Sequence, residues 1–245
     1  MIFSEGVRSV NRVKQFLKDE LSGWKKWQIF WMIFANAMIL GISIYQKDTV
    51  LGIAASITGV ICVILCGMGK VSNYIFGTAN TILYAIVAWK AKYYGDVMLN
   101  LLYYLPTNII GWVAWRKNIN QEKKIVYMRR MTWKQDVLLG VVSVAGVLGY
   151  SLILKLLGGN LPLIDSMSTV FSVIAQILLI KRFTEQWVIW IIVDVVSVIM
   201  WIVALFTEAQ SVAVLLMWCV FLANAIIMFV IWLRESKQQE AGANG

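Results

Sequence analysis

Apolar residues fall in eight long runs, near 27–45, 50–68, 71–89, 96–115, 136–157, 165–182, 187–206 and 211–233. Each is close to the roughly 20 apolar residues that a helix needs to cross hydrocarbon. Charged residues crowd into the breaks between runs. The pattern predicts an all-α integral membrane protein with eight transmembrane helices. Most breaks are short, so neighbouring helices run antiparallel; the long exception is 116–135. Ahead of the first run, Val7, Val10, Val13, Leu17, Leu21 and Trp24 recur at helical spacing, with Arg8, Arg12, Lys18 and Asp19 between them. That makes residues 1–26 a basic amphipathic segment suited to a membrane surface.

Basic residues orient the runs. With the N-terminus in the cytoplasm, eighteen of the 22 Lys and Arg residues fall on the cytoplasmic side and four outside, namely Lys47, Lys90, Lys92 and Lys155. This is the asymmetry the positive-inside rule expects, with both termini cytoplasmic. It also absorbs the net charge of +9, which in a soluble protein would raise nucleic acid as a partner. Composition agrees: 60% of residues are hydrophobic and 14% charged, against about 45–50% and about 25% in soluble domains.

The runs also repeat. Runs two to four and six to eight form two triplets joined by run five. One triplet has Asn80 in its middle helix and ends in Asn108, Trp115 and Arg116; the other has Asp194 in its middle helix and ends in Asn224, Trp232 and Arg234. One intervening crossing gives the triplets the same orientation, an arrangement of parallel repeats found among transporters. The expected organisation is therefore a cytoplasmic segment (1–26), an accessory helix (27–45), a first three-helix repeat (50–115), a link and connecting helix (116–157), a second repeat (165–233) and a cytoplasmic tail (234–245).

Polar residues inside these runs are costly in hydrocarbon and usually face a bundle interior. Asn73, Asn80 and Tyr84 share one face of the third run, with Thr81 beside them. Asn100, Tyr104, Asn108 and Trp112 recur every four residues along the fourth. Ser168, Thr169, Ser172 and Gln176 mark the sixth; Trp187, Trp190, Asp194, Ser197 and Trp201 follow the three-four helical step of the seventh; Asn224 lies in the last. Such groups can simply bond helix to helix, at about 1 kcal/mol each. Amides and aromatics alternating down one face also suit a small-molecule site, in which rings stack on a flat solute and amides hold its polar groups. Asp194 is the one acid well inside a run, and is open to three readings: solute partner, proton-coupling site or helix-bonding group. Pro106 cannot donate to the carbonyl of Leu102, so the fourth helix has either a static kink or a hinge.

Enzymatic chemistry has little to work with. The chain has no histidine, the commonest general base and metal ligand. Cys62, Cys66 and Cys219 lie in apolar runs and read as small fillers. No phosphate-binding glycine loop is present. The expectation is a carrier with no metal and no cofactor, working passively or by ion coupling.

Two stretches carry a family resemblance. One is Tyr94-Gly95-Asp96 with Asn100, Tyr103, Tyr104, Pro106 and the run Gly111 to Asn118; the other is Arg182-Phe183-Thr184-Glu185-Gln186-Trp187-Val188-Ile189-Trp190, continuing to Asp194. With them the chain resembles the Pnu family of bacterial vitamin transporters over roughly 50–235. The resemblance implies a three-plus-one-plus-three core similar to SWEET-type sugar carriers, a multi-pass protein of the bacterial inner membrane, and a homotrimer. It implies facilitated diffusion of nicotinamide riboside, trapped by intracellular phosphorylation, with carriers of thiamine or deoxynucleosides as relatives. Matching positions for substrate contact are Gln176, Trp187, Trp190 and Asp194, with Asn80, Tyr84, Tyr104, Asn108 and Trp112 opposite; Asn224 joins them from the polar pattern.

Overall fold

The computed structural model describes residues 14–156, 162–206 and 211–243. Val7, Val10 and Val13 of the amphipathic segment lie outside these residues. The helices are α1 Lys26–Tyr45, α2 Val50–Gly67, α3 Asn73–Lys90, α4 Tyr94–Arg116, α5 Trp133–Leu156, α6 Pro162–Ile180, α7 Gln186–Ala204 and α8 Val212–Ala243. Among the described residues, six are long and apolar enough to cross a membrane: α1, α2, α4, α5, α7 and α8. Helix α3 matches α2 at 18 residues, but its polar face lowers its hydropathy. Ser166–Ile180 within α6 is a shorter apolar stretch.

Helix ends differ from the sequence reading in understandable ways. Helix α6 starts at Pro162, earlier than the apolar run; proline fits a first helical turn because its missing N–H has no partner there anyway. Helix α8 continues past the apolar run to Ala243. The long link holds a two-stranded hairpin, β1 Ile119–Asn120 and β2 Ile125–Val126, with Ile119 opposite Val126. This hairpin was not foreseen, since two-residue strands leave no alternation to read.

Helices α2, α3, α4, α6, α7 and α8 close into a ring in that order, α8 packing back on α2. Helix α1 leans on α2 and α8, and α5 on α6. Outside the ring, α5 exposes Val137, Leu138, Val141, Leu148 and Leu152, a surface suited to lipid rather than water. Two buried clusters fill the ring's ends. One contains Tyr84, Val87, Trp201, Ala204 and Met217; the other contains Tyr74, Trp115, Trp187, Met228 and Trp232.

The second cluster sits at the end where basic residues gather. There the link stitches two turns together. Val126 N donates to Gly69 O (3.0 Å), Arg129 N to Arg182 O (2.9 Å) and Thr184 N to Arg129 O (2.8 Å). Helical residues 14–21 lie against the same end. Lys70, only 1% exposed, donates through Nζ to the carbonyls of Asp19 (2.9 Å), Ser22 (2.9 Å) and Lys124 (3.0 Å). Burial lowers its pKa, and the carboxylates of Glu20 and Asp19 oppose that shift. Glu20 accepts from Ser72 N at 3.0 Å and from the Ser72 hydroxyl, satisfying donors at the start of α3.

Proline shapes α4. Pro106 has no N–H, and the helix just before it widens into a π segment, Leu99–Tyr104. Leu105 N donates five residues back, to Asn100 O. Such insertions are common where function needs a helix face reset.

Candidate functional site

A cavity of about 140 Å³ lies inside the ring, and all six ring helices line it. Helix α3 supplies Asn73, Tyr74, Asn80, Thr81 and Tyr84; α4 supplies Asn100, Tyr104 and Asn108; α7 supplies Trp187, Trp190 and Asp194. Gln176 and Leu179 come from α6; Cys62 and Cys66 come from α2; Met217, Trp218, Phe221 and Ala225 come from α8. Of the sequence candidates, Asn80, Tyr84, Tyr104, Asn108, Gln176, Trp187, Trp190 and Asp194 therefore meet at one place.

Trp112 and Asn224 do not join them. Each four-residue step along an α-helix overshoots a full turn by about 40°. The π segment holds Asn100 and Tyr104 near one line, but by Trp112 the stripe has rotated off the cavity. Trp112 instead packs on Phe16 (ring centroids 5.6 Å) and under the Arg116 guanidinium (5.8 Å). Asn224 is fully buried between helices: its Nδ2 donates to Val63 O (3.0 Å) and its Oδ1 accepts from Trp31 Nε1 (3.4 Å).

The polar lining forms a ladder across three helices. Gln176 Nε2 donates to Thr107 Oγ1 (3.2 Å) and Asn108 Oδ1 (3.4 Å), and Asn108 Nδ2 to Thr81 Oγ1 (3.4 Å). Asn80 Nδ2 donates to Ala55 O (2.8 Å). This approach needs Gly59: a Cβ there would stand 2.7 Å from Asn80 Nδ2 and 2.8 Å from Met217 Sδ. Gly111 likewise leaves room for the Tyr74 ring, with which a Cβ would collide.

Asp194 is 2% exposed and faces the cavity. Among the described residues its carboxylate has no hydrogen-bond or ion-pair partner. The indole N–H of Trp187 and the Tyr74 hydroxyl, both on the lining, are also unpartnered there. Buried polar groups are nearly always paired, and this wall leaves hydrogen-bonding capacity facing the cavity. Aromatic rings surround it: Tyr104 lies 6.3 Å from Trp190, and Tyr84 lies 5.9 Å from Trp218.

Aromatic contacts flank the cavity towards both ends of the ring. At the basic end Trp187 stands edge-on to Trp232 (5.7 Å) and Tyr74 edge-on to Trp115 (5.3 Å). Trp115 Nε1 donates to Leu179 O (3.0 Å) and Trp232 Nε1 to Gly67 O (2.8 Å). At the opposite end Trp201 Nε1 donates to the Tyr84 hydroxyl (3.1 Å), and Tyr93 donates to Met200 O (3.2 Å).

Thr81, noted beside Asn80 on the third run, lines the site as well, and Tyr74, Trp218 and Phe221 extend it further. Tyr74 could have been found, as a polar group on the third run. Trp218 and Phe221 could not, because α8 is apolar all round and shows no face. Among the described residues no cluster of His, Cys, Asp or Glu could hold a metal ion.

An apolar exterior around a buried polar-aromatic cavity defines a multi-pass helical membrane protein with a small-solute site. The family described as nicotinamide mononucleotide transporter matches residues 49–234, and the chain belongs to it. It is 34% identical to the nicotinamide riboside transporter PnuC of Neisseria mucosa over 226 residues, covering 90% of this chain and 86% of that protein. It is 31% identical to the PnuC of Haemophilus influenzae over 225 residues, covering 91% and 96%. A solved structure titled as the vitamin B3 transporter PnuC superposes with a TM-score of 0.83 at 34% identity, covering 91% of this chain and 98% of that one.

Proposed function

We propose that the protein carries nicotinamide riboside across the bilayer by facilitated diffusion and acts as a carrier, not an enzyme. The observation that carries this reading is Asp194, a buried carboxylate on the cavity wall without a partner among the described residues, set among Trp187, Trp190 and Tyr104. Nicotinamide riboside has a flat cationic ring. Indole faces attract such rings by about 0.5–2 kcal/mol, the carboxylate offsets the charge, and the Gln176–Asn108–Thr81 ladder can read hydroxyls or the carboxamide. The names of the relatives support the same solute.

The same proposal includes eight membrane crossings, with α1 as accessory and α5 joining two parallel triplets, α2–α4 and α6–α8. The ring order supports it, since the contacts of α2 with α8 and of α6 with α4 exchange under a two-fold axis. Crowded Lys and Arg at one end support cytoplasmic termini. Trapping by intracellular phosphorylation and assembly as a homotrimer in the bacterial inner membrane follow from the resemblance. A calorimetric binding screen of the purified protein against nicotinamide riboside, thiamine and deoxynucleosides tests the solute. Tight binding of nicotinamide riboside is expected; preference for a neutral deoxynucleoside would overturn the assignment.

A second reading shares the same observation. An unpartnered interior carboxylate also suits proton coupling. It requires that an imposed pH gradient drive solute accumulation, and that Asp194→Asn abolish it.

A further inference from the structure

Lys70 is a buried cation that the solute site does not use. It sits in the turn between α2 and α3, 1% exposed and off the cavity wall. An ammonium has three donors, and Lys70 Nζ gives all three to backbone carbonyls, those of Asp19, Ser22 and Lys124. Among the described residues no carboxylate is in ion-pair contact with it. A buried charge is tolerated only when its hydrogen bonds are met. The N-terminal helical residues 14–21, the link and the α2–α3 turn must therefore stay together for Lys70 to stay buried.

The link also straps the two proposed triplets to each other. At one point Val126 N donates to Gly69 O in the α2–α3 turn (3.0 Å). Three residues on, Arg129 holds the α6–α7 turn: its N donates to Arg182 O (2.9 Å), and its carbonyl accepts from Thr184 N (2.8 Å) and Thr184 Oγ1 (3.1 Å). The Arg129 guanidinium lies 4.9 Å from the Phe183 ring centre. Three residue steps reach about 11 Å at full extension, so the two turns cannot part widely unless the strap lets go of one. The Arg129 end has three hydrogen bonds and a cation–π contact. The Gly69 end has one backbone bond and the Lys70 ammonium, so release falls there.

Movement of that turn reaches the cavity. Asn73 Nδ2 donates to Lys70 O (2.6 Å), and Asn73 and Tyr74 both line the cavity. A polar cleft of about 740 Å³ borders Lys70, with Gln15, Lys18, Gln28, Lys123 and Glu235 on its walls. An ammonium that leaves its carbonyls there meets polar groups, not hydrocarbon.

Resting on the carrier reading above, we propose that Lys70 is the pin of a latch. With the Val126–Gly69 bond it holds the α2–α3 turn on the link, and the basic end of the cavity opens when that attachment lets go.

Two changes act on the latch in opposite directions. Gly69→Cys with Ile125→Cys allows a disulfide across the attachment, since a Cβ on Gly69 would stand 3.2 Å from that of Ile125, near the usual disulfide separation of about 3.5–4.5 Å. Comparing the oxidised and reduced forms of this one variant cancels the strain of a side chain at φ +71. Lys70→Met keeps an unbranched side chain and removes the pin. The readout is alkylation of Cys66 by iodoacetamide in the purified full-length protein, followed by mass spectrometry, with the parent taken through the same oxidation as a control. Cys66 is 4% exposed, on the cavity wall and in the basic-end cluster.

The oxidised pair should alkylate at Cys66 about tenfold or more slowly than the reduced pair, and Lys70→Met about tenfold or more faster than the parent. Equal rates in the oxidised and reduced forms would overturn the latch, as would an unchanged rate in Lys70→Met. If Lys70→Met does not fold, the disulfide pair carries the test. The oxidised pair should also bind nicotinamide riboside without carrying it, and full-rate transport by that form would overturn the latch. A Cys66 rate that answers to the disulfide in a protein that carries no nicotinamide riboside would sink the proposed solute and leave the latch standing.

Discussion

Tyr84 on α3 donates its hydroxyl to the Asp96 carboxylate on α4 across 2.9 Å. The same oxygen accepts from Trp201 Nε1 at 3.1 Å, so one phenol ties α3, α4 and α7 together on the side of the cavity away from the basic end. Tyr84→Phe keeps the ring but leaves a buried indole N–H without its acceptor. The expected loss is about 1–3 kcal/mol, read as a lower Tm in detergent. An unchanged Tm would show that the three groups repair their bonds with solvent.

Asp194 should set selectivity by charge. Asp194→Asn keeps the shape and removes the negative charge, so affinity for nicotinamide riboside should fall about tenfold or more, on the order of 1.4 kcal/mol. Affinity for an uncharged nucleoside should change much less. Titration calorimetry on both solutes reads the difference, and parallel losses would mean that Asp194 acts on hydroxyls rather than on the ring.

Asn224 and Asn108 should separate structure from recognition. Asn224 bridges α1, α2 and α8 and stands away from the cavity, so Asn224→Ala should lower Tm by the equivalent of about 1 kcal/mol while leaving solute affinity in place. Asn108→Ala opens the amide ladder and should weaken solute binding. The two variants compared in one binding and one melting experiment check the assignment, which fails if Asn224→Ala is the one that loses binding.

Glu185 gives the protein a pH signature outside the membrane-spanning helices. Burial raises its pKa, Asp136 adds to the rise, and Arg130 and local backbone donors oppose it. A carboxyl with a raised folded pKa is penalised when ionised. The penalty is absent below the ordinary carboxylate range, grows as pH rises through the folded pKa, and is complete above it. Glu185→Gln should therefore be more stable than the parent at neutral pH and equal to it in acid. Melting curves across pH would contradict this if the two proteins stayed parallel.

Much of the architecture was legible because hydrocarbon leaves a helix few options. Apolar runs located every helix of the ring, and amides or acids in those runs located most of the cavity. What stayed hidden has physical causes. The π turn before Pro106 and the 40° drift per four residues turned Trp112 away from a stripe that looked continuous. Helix α8 is apolar on every side, so nothing in its sequence showed that Met217, Trp218 and Phe221 face inward while Asn224 faces its neighbours. The hairpin at Ile119–Asn120 and Ile125–Val126 is too short for any periodicity.

Uptake of radiolabelled nicotinamide riboside into proteoliposomes tests the central claim most directly. The interior concentration should rise to the external concentration and stop there, with no response to an imposed pH gradient. Uptake no greater than in empty vesicles would contradict the assigned solute, and accumulation above the external concentration would contradict passive transport.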